Sequence, residues 1–200
     1  MQRRLFLTTL SALPLAAYAA PAYTGIDITG SSIGPDFNLF YGNGKPASLR
    51  DFKGKYVLLF FGFTQCPDVC PTALARAVEV KRLLGADGDK LQVVFVTVDP
   101  ERDTAPLLAE YMRAFDPSFV AVRGNAEQTA KAAADFKIFY RKVPSGSSYT
   151  MDHTAITYVL DATGKVRLAL KHDETAQQCA ADLRQLMQAK KEGFLKGLFQ

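Results

Sequence analysis

Tyr56-Val57-Leu58-Leu59-Phe60-Phe61-Gly62-Phe63, followed closely by Cys66-Pro67-Asp68-Val69-Cys70-Pro71, decides how this chain is read. The first stretch is apolar on both faces, as a strand at the centre of a parallel sheet requires. The second opens a helix. Pro71 suits a first helical turn, and apolar residues at 74, 77, 78, 80, 83 and 84 keep helical spacing. In open α/β sheets, ligands gather beyond the carboxyl ends of the strands. Two cysteines at such a turn stand where chemistry is done.

Outward from this unit the pattern alternates. Residues 91–98 read as a second buried strand, and 105–115 as a helix beginning near Pro106. Residues 119–122 form a short strand, 126–135 a helix after Gly124-Asn125, and 136–143 an extended segment. Residues 156–160 and 166–170 flank Asp161-Ala162-Thr163-Gly164-Lys165, a hairpin signal, and 175–190 form a final helix. Upstream, 36–41 read as a short strand turning at Gly42-Asn43-Gly44, and 49–54 as a short helical turn or loop. The order predicts an α/β, thioredoxin-like fold: a central mixed sheet flanked by helices, with an insertion and a C-terminal β-hairpin plus helix.

The chain has 200 residues, enough for one domain with a real core. Its net charge of +4 comes with no basic block interleaved with aromatics, so no nucleic-acid partner is expected. Residues 1–20 stand apart as an export signal. Arg3 and Arg4 precede an apolar stretch broken by Pro14 and ending in Ala17-Tyr18-Ala19-Ala20, a small-residue cleavage site. Arg3-Arg4-Leu5-Phe6-Leu7 also resembles a twin-arginine signal. A periplasmic location is therefore expected, with a retained membrane anchor as the rival, since an uninterrupted span needs about 20 apolar residues. Residues 21–35, rich in Gly, Ser, Pro and Thr, read as a tether or irregular lead-in, leaving 36–200 as the domain. At the far end, Phe194, Leu195, Leu198 and Phe199 are interspersed with lysines. That tail reads either as a final turn packed on the domain or as a surface-binding end that keeps the protein near a membrane.

Export leads to an oxidising compartment, where unneeded thiols pair. The chain has three cysteines. Cys179 shares an apolar helical face with Leu183, Leu186 and Met187, and reads as a buried, inert residue. Cys66 and Cys70 remain as the chemical pair. A helix N-terminus favours thiolate, so the cysteine nearer the helix axis is expected to have the lowered pKa. Two thiolates suit Cu(I), and an imidazole would let the site hold either copper oxidation state. His153, just before the run 156–160, is the candidate; His172 reads as a helix-start residue. A closed structural zinc site wants four ligands and is underprovided. The same dithiol suits thiol–disulfide exchange, with Cys66 attacking and Cys70 resolving. On the residues alone, copper binding and dithiol redox chemistry both stand.

Three blocks in order carry a resemblance: residues 61–72, with Thr64-Gln65-Cys66-Pro67-Asp68-Val69-Cys70; Val98-Asp99-Pro100-Glu101-Arg102-Asp103-Thr104; and Asp152-His153-Thr154. Together they resemble the SCO/SenC family, over roughly residues 33–190. The resemblance implies a thioredoxin-like copper metallochaperone with Cys66, Cys70 and His153 as ligands. It would deliver copper to the binuclear copper centre of cytochrome c oxidase. The alternative it allows is a thiol–disulfide oxidoreductase that reduces the cysteines of that copper site. The implied partner is the copper-bearing oxidase subunit, along with another copper chaperone or a thiol reductant. Asp99 is a candidate for supporting the ligands, or else a capping carboxylate. Family members are often held to a membrane by a helix or a lipid. The proline-broken leader here, with no cysteine near its cleavage site, departs from that pattern.

Overall fold

The structure is a computed structural model that describes residues 22–197, with side chains described through residue 189. The export signal and the apolar tail side chains fall outside the described residues. Among the described residues, ten strands and four α-helices follow one another. They are β1 (Ile26–Asp27), β2 (Leu39–Tyr41), β3 (Pro46–Ala47), β4 (Tyr56–Gly62), α1 (Val69–Leu84), β5 (Leu91–Thr97), α2 (Ala105–Phe115) and β6 (Val120–Arg123). Then come α3 (Ala126–Asp135), β7 (Tyr140–Ser145), β8 (Ser148–His153), β9 (Thr157–Leu160), β10 (Val166–Leu170) and α4 (Ala176–Gly197). A 3-10 turn, Leu49–Phe52, sits where the helical turn was expected.

Eight strands form one mixed sheet in the order β1-β10-β9-β4-β5-β6-β2-β3. β4 lies inside it, parallel to β5 and antiparallel to β9. All seven β4 residues are buried, which explains its unbroken apolar run. Leu58 faces a small gap shared with Ala73 and Ala77 of α1 and Cys179 of α4. Phe61 points the other way, its ring 5.4 Å from that of Phe136 at the end of α3. Helices thus cover both faces, as in a thioredoxin-like α/β fold.

Local chemistry sets the helix ends. The buried α1 residues Cys70, Ala73, Leu74, Ala77, Val80 and Leu84 follow the three-and-four spacing of one helical face. Thr104 caps α2 by accepting from the Leu107 amide, and Asn125 forms a capping box with Gln128 on α3.

Two features differ from the sequence reading. The stretch expected as a tether or irregular lead-in holds β1, which pairs with β10, while the Thr24 and Gly25 amides donate to Asp182. The second is the hairpin β7–β8, a separate two-stranded sheet turning at Gly146 with φ 58°. Its first strand was expected to be extended, but its second, Ser148–His153, is too polar to announce a partner.

Candidate metal centre

The site lies where β4 runs out. Gly62 ends that strand with no room for a side chain, because a Cβ there would meet the Cys70 Sγ at 2.7 Å. The chain turns at Phe63, whose carbonyl accepts from the Cys66 amide at 3.3 Å. Cys66 is partly exposed and Cys70, in the first turn of α1, is fully buried. The sequence placed His153 at the entry to the strand at 156–160. The structure makes it the last residue of β8, carried in by the separate hairpin.

The three side chains converge. The Cys66 and Cys70 sulfurs and one His153 ring nitrogen all lie within 4.8 Å of one another. No other group of three such donors meets among the described residues. His153 Nε2 lies 3.5 Å from the Cys70 Sγ. Its Nδ1 lies 3.1 Å from the Thr154 carbonyl, which can only accept, so Nδ1–H donates there and Nε2 is the ring nitrogen turned toward the sulfurs. The Phe60 and Phe63 rings stand edge-on to the imidazole, with centroids at 5.9 and 5.8 Å. They fix the ring plane and shield it from water on two sides.

The two sulfurs titrate unequally. The Cys70 side chain donates to the Cys66 sulfur, which also accepts the Cys70 amide at 3.4 Å and the Asp68 amide. These donors hold the Cys66 thiol down at about 5. Cys70 is pushed up, first by that shared bond with Cys66 and then by burial. The thiolate at rest is therefore Cys66, whose sulfur lies off the helix start, and not the cysteine inside the helix. The consequence is measurable. In the reduced, metal-free protein at pH 7, iodoacetamide should alkylate Cys66 well ahead of Cys70 and Cys179. Its rate should reach half of the plateau near pH 5, since the reactive form is the thiolate. Mass mapping that found Cys70 modified first would contradict this assignment.

Other residues singled out from sequence fall elsewhere. Cys179 is 1% exposed, and burial raises its thiol to about 11. This matches an inert core residue. His172 follows β10, its carbonyl accepting from Arg76 at 2.7 Å, and takes no part in the cluster. Asp99 does not touch the donors. Its buried carboxylate accepts from Arg102 and from the Tyr149 hydroxyl of the hairpin. Asp103 has no role in the sequence reading beyond its place in the second block. It is fully buried and accepts from the Thr64 amide, the Thr64 hydroxyl and the Thr97 hydroxyl, which fixes the turn two residues before Cys66. The available signal is a second carboxylate four residues after Asp99 at a strand-to-helix turn.

Comparison with known proteins agrees with this geometry. The pattern of the SCO1/SenC family matches residues 27–188. The SCO2-like protein of Rickettsia felis is 40% identical over 143 residues, 70% of this chain and 68% of that protein. Bradyrhizobium japonicum ScoI, solved with copper bound, superposes with a TM-score of 0.70 at 41% identity, covering 77% of this chain and 99% of its own. The apo Sco1 of Thermus thermophilus gives a TM-score of 0.71 at 36% identity, covering 82% and 95%. The match to the family pattern takes in the cysteine turn, the Asp99–Asp103 block and the His153 strand, and the chain belongs to the SCO1/SenC family.

Proposed function

We propose that this chain is a copper carrier, binding the ion on Cys66, Cys70 and His153 and passing it to the binuclear copper centre of cytochrome c oxidase. The observation that carries this is the donor cluster: two sulfurs and an imidazole nitrogen within 4.8 Å of one another. Soft sulfur donors select copper, and the imidazole supplies the harder donor that Cu(II) favours. Copper here is cargo. The partly exposed Cys66 would be the first sulfur reached by an acceptor's cysteine, while the buried Cys70 and the shielded His153 hold the ion until exchange is complete. Residues 1–20 support export, so this exchange would take place in the periplasm, beside the copper-bearing oxidase subunit.

Direct titration tests the proposal. The reduced protein is expected to bind one copper per chain, and Cu(II) to show sulfur-to-copper charge-transfer absorption. Binding should release the proton held by Cys70. If Cys66→Ser combined with Cys70→Ser binds copper as well as the unchanged chain does, the ligand assignment is wrong.

A second reading rests on the unequal thiols. An accessible thiolate beside a buried thiol is the arrangement of a dithiol reductant. The Cys66 thiolate would attack a partner disulfide and expel one partner thiolate. Cys70 would then displace the other, leaving a Cys66–Cys70 disulfide and a partner dithiol ready for metal. The imidazole forms and breaks no bond in that exchange and is the smallest of the named influences on the Cys66 thiol, so His153 separates the two readings.

A further inference from the structure

We propose that Arg102 is the positioning residue that sets the His153 hairpin over the cysteine turn. The inference rests on the copper reading above and concerns how that site is held together. Among the described residues, β7–β8 shares no ladder with the eight-stranded sheet. Strand pairing therefore does not fix the distance from His153 to Cys70. Burial of Met151 draws the hairpin onto the core, but apolar contact is not directional. The exposed pair Lys142–Glu101 contributes little.

The Arg102 guanidinium, together with the Tyr149 hydroxyl, supplies the missing direction. Arg102 Nε donates to Asp99 Oδ2 at 2.5 Å. Its Nη1 donates to Gln65 Oε1 at 2.9 Å and to the Tyr149 carbonyl at 2.7 Å. The guanidinium lies over the Tyr149 ring, 3.7 Å from its centroid. The Tyr149 hydroxyl closes the ring of contacts by donating to Asp99 Oδ1 at 2.9 Å. Gln65 is the neighbour of Cys66, and Tyr149 lies on β8, four residues before His153. One planar cation thus ties the cysteine turn, the β5–α2 connection and the histidine strand to each other. Asp99 anchors it from a site only 1% exposed, so the strut stands on the rigid core. A lysine can satisfy Asp99, but it has no planar fork to reach Gln65 and Tyr149 while stacking on a ring.

The test uses Arg102→Lys, which leaves a cation beside the buried Asp99, and a second variant, Asp99→Asn with Arg102→Gln, which leaves no charge there. In the metal-free reduced protein, amide exchange in β8 should accelerate about tenfold or more, as loss of one charged hydrogen bond implies, with β4 and β5 unchanged. With copper, Cu(II) affinity should fall about 10–100-fold, the range for outer partners of metal ligands. The nitrogen coupling of His153 should weaken in the paramagnetic spectrum, and Cu(I) affinity should stay within a few-fold. Unchanged Cu(II) affinity with the nitrogen coupling intact overturns the proposal. Equal loss of Cu(I) and Cu(II), with exchange accelerated in β4 and β5 as well, also overturns it, because that marks a general structural role. If the unchanged chain holds no copper, or if His153→Ala holds it equally well, the copper reading fails instead. In that case β8 exchange in metal-free Arg102→Lys still decides whether Arg102 anchors the hairpin.

Discussion

His153→Ala should lose the ability to support assembly of the oxidase copper site while keeping its dithiol chemistry nearly whole. The imidazole is the only nitrogen donor in the cluster, and its Nδ1 contact with Thr154 turns Nε2 toward the sulfurs. Removing it leaves two sulfurs, which satisfy Cu(I) but not Cu(II). Cu(II) affinity should fall by at least about 100-fold, the upper end of what even indirect partners of metal ligands cost. Cu(I) affinity should change far less. Reduction of a model disulfide should stay within a few-fold, because the donors that hold Cys66 as thiolate come mainly from Cys70 and Asp68. In a cell at limiting copper, the variant strain should lack cytochrome c oxidase activity and recover part of it with added copper. Full activity at limiting copper would make the reductant the better reading.

How much of this was legible beforehand follows from where the information sits. β4, α1, β5, α2 and α3 announce themselves because each buries a face locally, the strands through apolar runs and the helices through a 3.6-residue period with a start signal. The chemical pair was legible for the same reason, since both cysteines sit on one strand-to-helix turn. β8 was not. Its residues are mostly polar or half-buried, and their pairing with β7 comes from a turn at Gly146 rather than from an apolar pattern. The assignment of the thiolate depends on which sulfur receives the amide protons of the first helical turn, a matter of orientation that spacing does not encode. β1 is two residues long, and the residues leading into it are held by Asp182 from the far end of the chain, a contact that no local window contains.

Asp103→Ala should be the most destabilising single change at the site. The carboxylate is fully buried and satisfies three donors: the Thr64 amide at 3.2 Å, and the Thr64 and Thr97 hydroxyls, both at 2.6 Å. Alanine leaves those donors without their partner, at about 1–3 kcal/mol for each that stays unsatisfied. A total of about 4 kcal/mol is a large part of the roughly 5–15 kcal/mol that holds a domain together. The melting temperature should drop by about 8–16 °C for a chain of this size. Cys66 should lose its fixed place, since Thr64 leads directly into its turn. Asp103→Asn keeps an acceptor and should cost much less, and it exposes the electrostatics. Burial raises the Asp103 carboxyl above its ordinary range. The folded protein then keeps a proton that the unfolded chain has already released. That contribution is complete below the ordinary carboxyl pKa and is lost as pH rises through the folded value. The stability advantage of the unchanged chain over Asp103→Asn should therefore shrink as pH rises from about 4 toward neutrality. Urea unfolding of both proteins across that interval measures the difference. An advantage that grew with pH would mean that the three donors outweigh burial and hold the carboxylate ionised in the folded state.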